Sequence, residues 1–169
     1  CCIEARLRQS LEHFLDQVAR QGSWFGGGSV AALSAALAAA LLEKLLGSTA
    51  PARRLQRIRR ECFALVSRDA EAFARVIEAS RSGKSPTFTR TLKAATEIPC
   101  RVFEHAQAIR AASWAAASSI KPQFQADLKG ARAVAGAAAG AGVVLTWRTA
   151  PATSGRSARV WAGAAGGDG

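Results

Sequence analysis

Between residues 3 and 20, apolar side chains return every three or four positions: Ile3, Leu7, Leu11, Phe14, Leu15 and Val18. One stripe of this kind predicts an amphipathic helix. Three consecutive glycines follow, Gly26-Gly27-Gly28, and an almost unbroken small-apolar run predicts a second helix from Ser29 to about Leu46. Ser29 is placed to be its N-cap, with the hydroxyl accepting from a free first-turn N–H. "GSTAP" ends that helix, and Pro51 suits the first turn of a third, over about 52–80. The predicted inner face of this third helix carries Leu55, Ile58, Cys62, Leu65, Val66, Phe73, Val76 and Ile77. The stretch "RSGKSPTF" (81–88) reads as a loop. A fourth helix is expected from about Thr89 to Ser113, kinked at Pro99, and a fifth from near Pro122 to about Trp147. Beyond Arg148 the helical period vanishes, so 148–169 is expected to be a disordered or aberrant tail that adds nothing to folding. The pattern as a whole predicts an all-α fold, an antiparallel bundle of about five long helices, within a single domain at 1–147.

Composition strengthens this reading. Alanine is abundant and β-branched residues are sparse, which favours helix over sheet. The longest apolar runs, Val30–Leu42 and Ala133–Leu145, span 13 residues each. A membrane crossing needs about 20, so both are expected to be core helices and no membrane partner is expected. Few large side chains occupy the second and fifth helices, so they should pack closely together. Their Ala-rich faces also leave apolar surface that a lone bundle covers poorly, which predicts a homodimer. The four cysteines (Cys1, Cys2, Cys62, Cys100) form no CxxC pair and have no metal-ligand spacing with His13 or His105. They read as free thiols of a reducing cytoplasm, without a metal-ligand pattern. The sequence contains no Met, even at position 1, which suggests a fragment.

The formal charge is +11, concentrated in "ARRLQRIRR" (52–60) without interleaved aromatics. A basic excess fits nucleic acid or, equally, a small polyanion. The cluster itself reads first as a solvated helix face and second as an anion-attracting patch, and nucleic acid is not the expected partner.

Two acids fall on apolar stripes. Asp69 stands three residues after Val66 and four before Phe73; Asp127 stands three after Phe124 and one before Leu128. A carboxylate turned toward a helical core is costly unless it is paired or functional. Each is therefore either bonded to a neighbouring helix terminus or an arginine, or part of a site. His105 also faces inward, where a satisfied core role is the commoner one. Glu43 and Lys44 suit interhelical pairing. Lys84 and Arg90 flank the polar loop, where plain surface solvation is the commoner role and contact with a ligand's anionic groups the other. The glycine turn matches neither a phosphate-binding P-loop nor a dinucleotide fingerprint, since no Gly-Lys-Ser/Thr follows and no strand precedes it. What remains is a helix N-terminus with accessible amides, suited to a carboxylate or an electron-rich heterocycle.

"GGGSVAALSAALAAAL" closely resembles the signature of the formiminotetrahydrofolate cyclodeaminase / methenyltetrahydrofolate cyclohydrolase family. "FLDQVA" (14–19), "RDAEAFARVIEA" (68–79), "RTLKAATEIPCRVFEHA" (90–106) and "QADLKGARAVAGAAAGAG" (125–142) resemble further family segments in the same order. Phe25 stands where that family usually has Pro, and "GVVLTW" replaces its Asn-Val-x-x-Asn. The resemblance implies a helical, homodimeric enzyme acting on a one-carbon folate. Its reaction would be ring closure of 5-formiminotetrahydrofolate with loss of ammonia, or hydrolysis of 5,10-methenyltetrahydrofolate, neither of which requires a metal or other cofactor. Asp69 and Asp127 would be the catalytic acids; Gly26, Gly27, Gly28, Ser29, Lys84 and Arg90 would line the substrate. Two other readings stay open: a folate-binding relic without turnover, and a basic helical module binding nucleic acid or an acidic protein.

Overall fold

Five α-helices and no strand make up residues 11–81 and 86–149, the part of the chain that the computed structural model describes. They are α1 (Leu11–Ala19), α2 (Gly27–Leu46), α3 (Ala50–Arg81), α4 (Pro86–Ala115) and α5 (Gln125–Thr149). A single 3₁₀ turn, Pro122–Phe124, leads into α5. The expected start of the first helix (3–10), the tail from 150, and Lys84 lie outside the described residues.

Cross-links between neighbours fix the antiparallel order. Glu43 near the end of α2 pairs with Arg59 near the start of α3 at 2.8 Å. Glu61 of α3 faces Arg101 and His105 of α4 at 3.8 and 3.1 Å. Ser113, close to the end of α4, accepts from Arg132 near the start of α5 at 3.1 Å. α2 packs on α3, α4 and α5. Its buried positions are Gly28, Ser29, Ala31, Ala32, Ala35, Ala36, Ala38, Ala39 and Leu42. Small residues at these places bring the helix axes close. Larger side chains then fill the gaps between α3, α4 and α5, with Leu55, Leu65, Val66, Val102, Ile109 and Leu128 fully buried. The expected packing of α2 on α5 is present.

Several local expectations change. α2 begins at Gly27 with Gly26 as its N-cap in extended geometry (φ −132°, ψ −158°), so Ser29 sits inside the first turn and caps nothing. α4 starts at Pro86, a favoured first-turn residue, so 86–88 are helical rather than loop. The helix continues on both sides of Pro99. Phe73 and Phe124, placed on inner faces by periodicity, are 49% and 41% exposed. At 20 residues and mean hydropathy 1.7, α2 is long and apolar enough to cross a membrane, contrary to the run-length expectation. Its packing is that of the bundle's central helix.

Ends are closed by specific bonds. Gly47, at φ 61°, donates its N–H to Glu43 O at 3.1 Å and ends α2. The Thr49 hydroxyl accepts from Ala52 N and opens α3. Gln125 Nε2 donates to the carbonyls of Ala117 and Ile120 at 3.0 and 2.9 Å, satisfying the chain that leaves α4. Cys62 is a free thiol and is fully buried. Burial, helped by the charge of Glu61, pushes the Cys62 thiol up to about 12, so it is a packing residue rather than a nucleophile.

Candidate functional site

The chain enters α2 through a turn at Gly22, whose φ of 75° glycine tolerates best. Phe25, which is buried, packs edge-on against Phe14 of α1 at 5.6 Å and anchors this turn. Gly26, Gly27 and Gly28 then open the helix. Asp69 reaches across from α3 to this N-terminus. The Ser29 hydroxyl donates to Asp69 Oδ2 at 2.8 Å, and the Ser29 backbone N–H bonds the same carboxylate. A Cβ at Gly28 would overlap the Asp69 carboxylate. So the group that approaches the backbone at Gly28 is a side chain of this same protein.

This arrangement sets the chemistry of Asp69. Burial pushes its carboxyl above the usual aspartate range, against the opposing pull of the two Ser29 bonds. The partial positive charge at the α2 N-terminus, about half a unit, also favours the ionised form. A half-buried carboxyl held by two donors and raised by burial can both take and give a proton.

The other expected site residues do not all gather here. Asp127 is half-buried in the first turn of α5, beside the far end of α4. With 1.5 Å per residue along the antiparallel helices, it lies roughly 30 Å from Asp69 along the bundle. Within one chain the two acids therefore belong to opposite ends. Arg90 is exposed on α4, at the end that carries Asp69. His105 is largely buried against Glu61, and burial holds its imidazole below the ordinary histidine range, with Arg101 adding to the effect and Glu61 opposing it. That is a core role, paired with Glu61 between α3 and α4. Glu43 makes the interhelical pair expected of it, with Arg59, whereas Lys44 is exposed. In the basic stretch Arg59 is the ion-paired member among the described residues; Arg53, Arg54, Arg57 and Arg60 are exposed.

Two features at these ends escape the apolar periodicity. Trp24 and Phe73 meet edge-on, with ring centroids 6.5 Å apart and planes at 63°. A tryptophan two residues before a glycine run was the available signal. Arg132 lies over the Trp114 ring at 3.4 Å and donates to both the hydroxyl and the carbonyl of buried Ser113. It locks α4 to α5. No group of three or more His, Cys, Asp or Glu arranged to hold a metal ion occurs among the described residues.

A helical bundle whose central helix opens on glycines, bonded there by an acid from the next helix, is the class of protein described so far. The Formiminotransferase-cyclodeaminase family profile matches residues 10–146, and the chain belongs to that family. Its fold is similar to that of formiminotetrahydrofolate cyclodeaminase from Thermotoga maritima. The TM-score is 0.80 at 22% sequence identity, covering 90% of this chain and 84% of that one. At such identity the likeness concerns the fold. None of the curated proteins matches the chain.

Proposed function

We propose that the chain is a folate one-carbon enzyme that closes the ring of 5-formiminotetrahydrofolate, giving 5,10-methenyltetrahydrofolate and ammonia. N10 attacks the formimino carbon, forming a C–N bond; the exocyclic C–N bond then breaks. Starting from the protonated formimino group, the N10 proton must leave and the departing NH2 group must gain one to go as ammonia, which leaves the methenyl cation. A carboxyl that can both accept and release a proton serves both needs. The observation that carries this reading is Asp69, half-buried, raised by burial and held by Ser29 at the α2 N-terminus, in a chain of this family. Hydrolysis of 5,10-methenyltetrahydrofolate draws on the same carboxyl, as a base toward water, and is the alternative reaction.

The bonds to Ser29 favour a second reading. They are those of a helix cap, and a capping acid keeps α2 in place without any chemistry. The direct test offers 5-formiminotetrahydrofolate and 5,10-methenyltetrahydrofolate separately. Ammonia release together with methenyl absorbance is expected from the first. Hydrolysis of the second alone would assign the hydrolase, and inactivity on both would leave Asp69 as a cap.

A homodimer is part of the same proposal. Val30 and Leu37 of α2 are 39% and 56% exposed, on a helix apolar all round that a neighbour is needed to cover. Light scattering is expected to give twice the chain mass at micromolar concentration; a monomer throughout would contradict it.

A further inference from the structure

Trp24 and Phe73 are 42% and 49% exposed, although together they are among the most apolar surface beside the glycine turn. Phe73 follows Asp69 by one turn of α3, so the two share a face. Trp24 precedes the N-cap Gly26 by two residues, and its ring meets that of Phe73. The pair therefore stands beside both the Asp69 carboxylate and the opening of α2. Periodicity would have buried Phe73 in the core, yet about half of it stays exposed beside the Trp24 ring. A turn that needed only to change direction has no use for an exposed indole.

We infer that Trp24 and Phe73 form the platform on which the flat pterin ring of the folate stacks, setting its one-carbon unit toward Asp69. This inference rests on the folate reading above. The edge-on contact uses one face of one ring, and both side chains keep a large exposed area. Exposed aromatic rings attract flat heterocycles through stacking and exclusion of water. Gly26, where an added Cβ would meet nothing within 4 Å, leaves open space at the same edge. Phe73 meets the indole from α3, the same helix that carries Asp69 one turn earlier.

The test measures the affinity of 5-formyltetrahydrofolate for the full chain by calorimetry, with indole emission recorded in parallel. Wild type is expected to bind with quenching. Trp24→Ala should weaken binding by about 10-fold or more, the scale of a lost stacking partner. Trp24→Phe should retain most of the affinity but lose the quenching, because a ring remains and the reporter does not. Phe73→Ala should weaken binding less, and in steady-state assays Trp24→Ala should raise KM more than it lowers kcat. Circular dichroism checks that each variant is folded; if Trp24→Ala is not, Trp24→Phe and Phe73→Ala carry the decision through quenching and KM. Wild type that binds while Trp24→Ala and Phe73→Ala bind equally well overturns the platform and leaves the folate reading intact. Wild type that neither binds nor turns over folate overturns both. Loss of affinity that tracks a halving of mass in light scattering makes the pair a subunit contact, and also overturns the platform.

Discussion

Asp69→Asn is expected to slow turnover of 5-formiminotetrahydrofolate by about 100-fold or more, the usual scale for losing a general acid or base, while the bundle stays folded. Asparagine is nearly isosteric, and its Oδ1 can accept from the Ser29 hydroxyl and N–H that now bond the aspartate. The cap is thereby kept and the exchangeable proton is lost. Linkage gives an independent readout. Because burial raises the folded-state pKa of Asp69 above its unfolded value, the native chain binds that proton more tightly than the unfolded chain. Its contribution to stability is complete below the unfolded pKa and is lost as pH rises through the folded one. Thermal melts should therefore show wild type losing stability relative to Asp69→Asn as pH increases across that window. A variant that unfolds at every pH would mark the acid as a cap alone. A folded variant with full turnover would remove it from the chemistry.

What could be read along the chain, and what could not, follows from the range of the forces involved. Helix number, order and approximate ends are written in local periodicity and in glycine and proline punctuation. The close packing of α2 on α5 is likewise written in their alanines. The inward acid at 69 was visible because a carboxylate on an apolar stripe is a local contradiction. Its partner was not, because Ser29 lies 40 residues away and its hydroxyl had an equally sound local use as an N-cap. Asp127 carries the same local signature as Asp69, yet antiparallel topology sends it to the other end of the bundle. Phe73 illustrates the opposite failure: its spacing is that of a core residue, but it is exposed beside Trp24, while Val76 and Ile77 further along the same stripe are only partly covered. Helical spacing reports which residues share a face, not how far along the helix that face stays covered.

The same geometry assigns the glycines separate duties, and Gly28→Ala tests the assignment. Locally the change should help, since alanine is a better helix former than glycine by up to about 1 kcal/mol. In place it cannot be accommodated without movement, because the new methyl would overlap the Asp69 carboxylate. Asp69 is short and rooted in α3, so relief comes by rotating the carboxyl off Ser29 rather than by a slight give. Helicity should survive, and turnover is expected to fall about 100-fold, as when the acid itself is removed. The decisive measurement is the double variant, Gly28→Ala with Asp69→Asn. If the glycine acts only by making room for the acid, the double variant should be no slower than the worse of the two singles, the non-additivity of residues that work as a unit. Losses that multiply would mean that Gly28 also admits substrate to the backbone, as the exposed amides of a glycine-led helix first suggested. Full activity in Gly28→Ala would show that the carboxylate does its work from somewhere other than its place against Ser29.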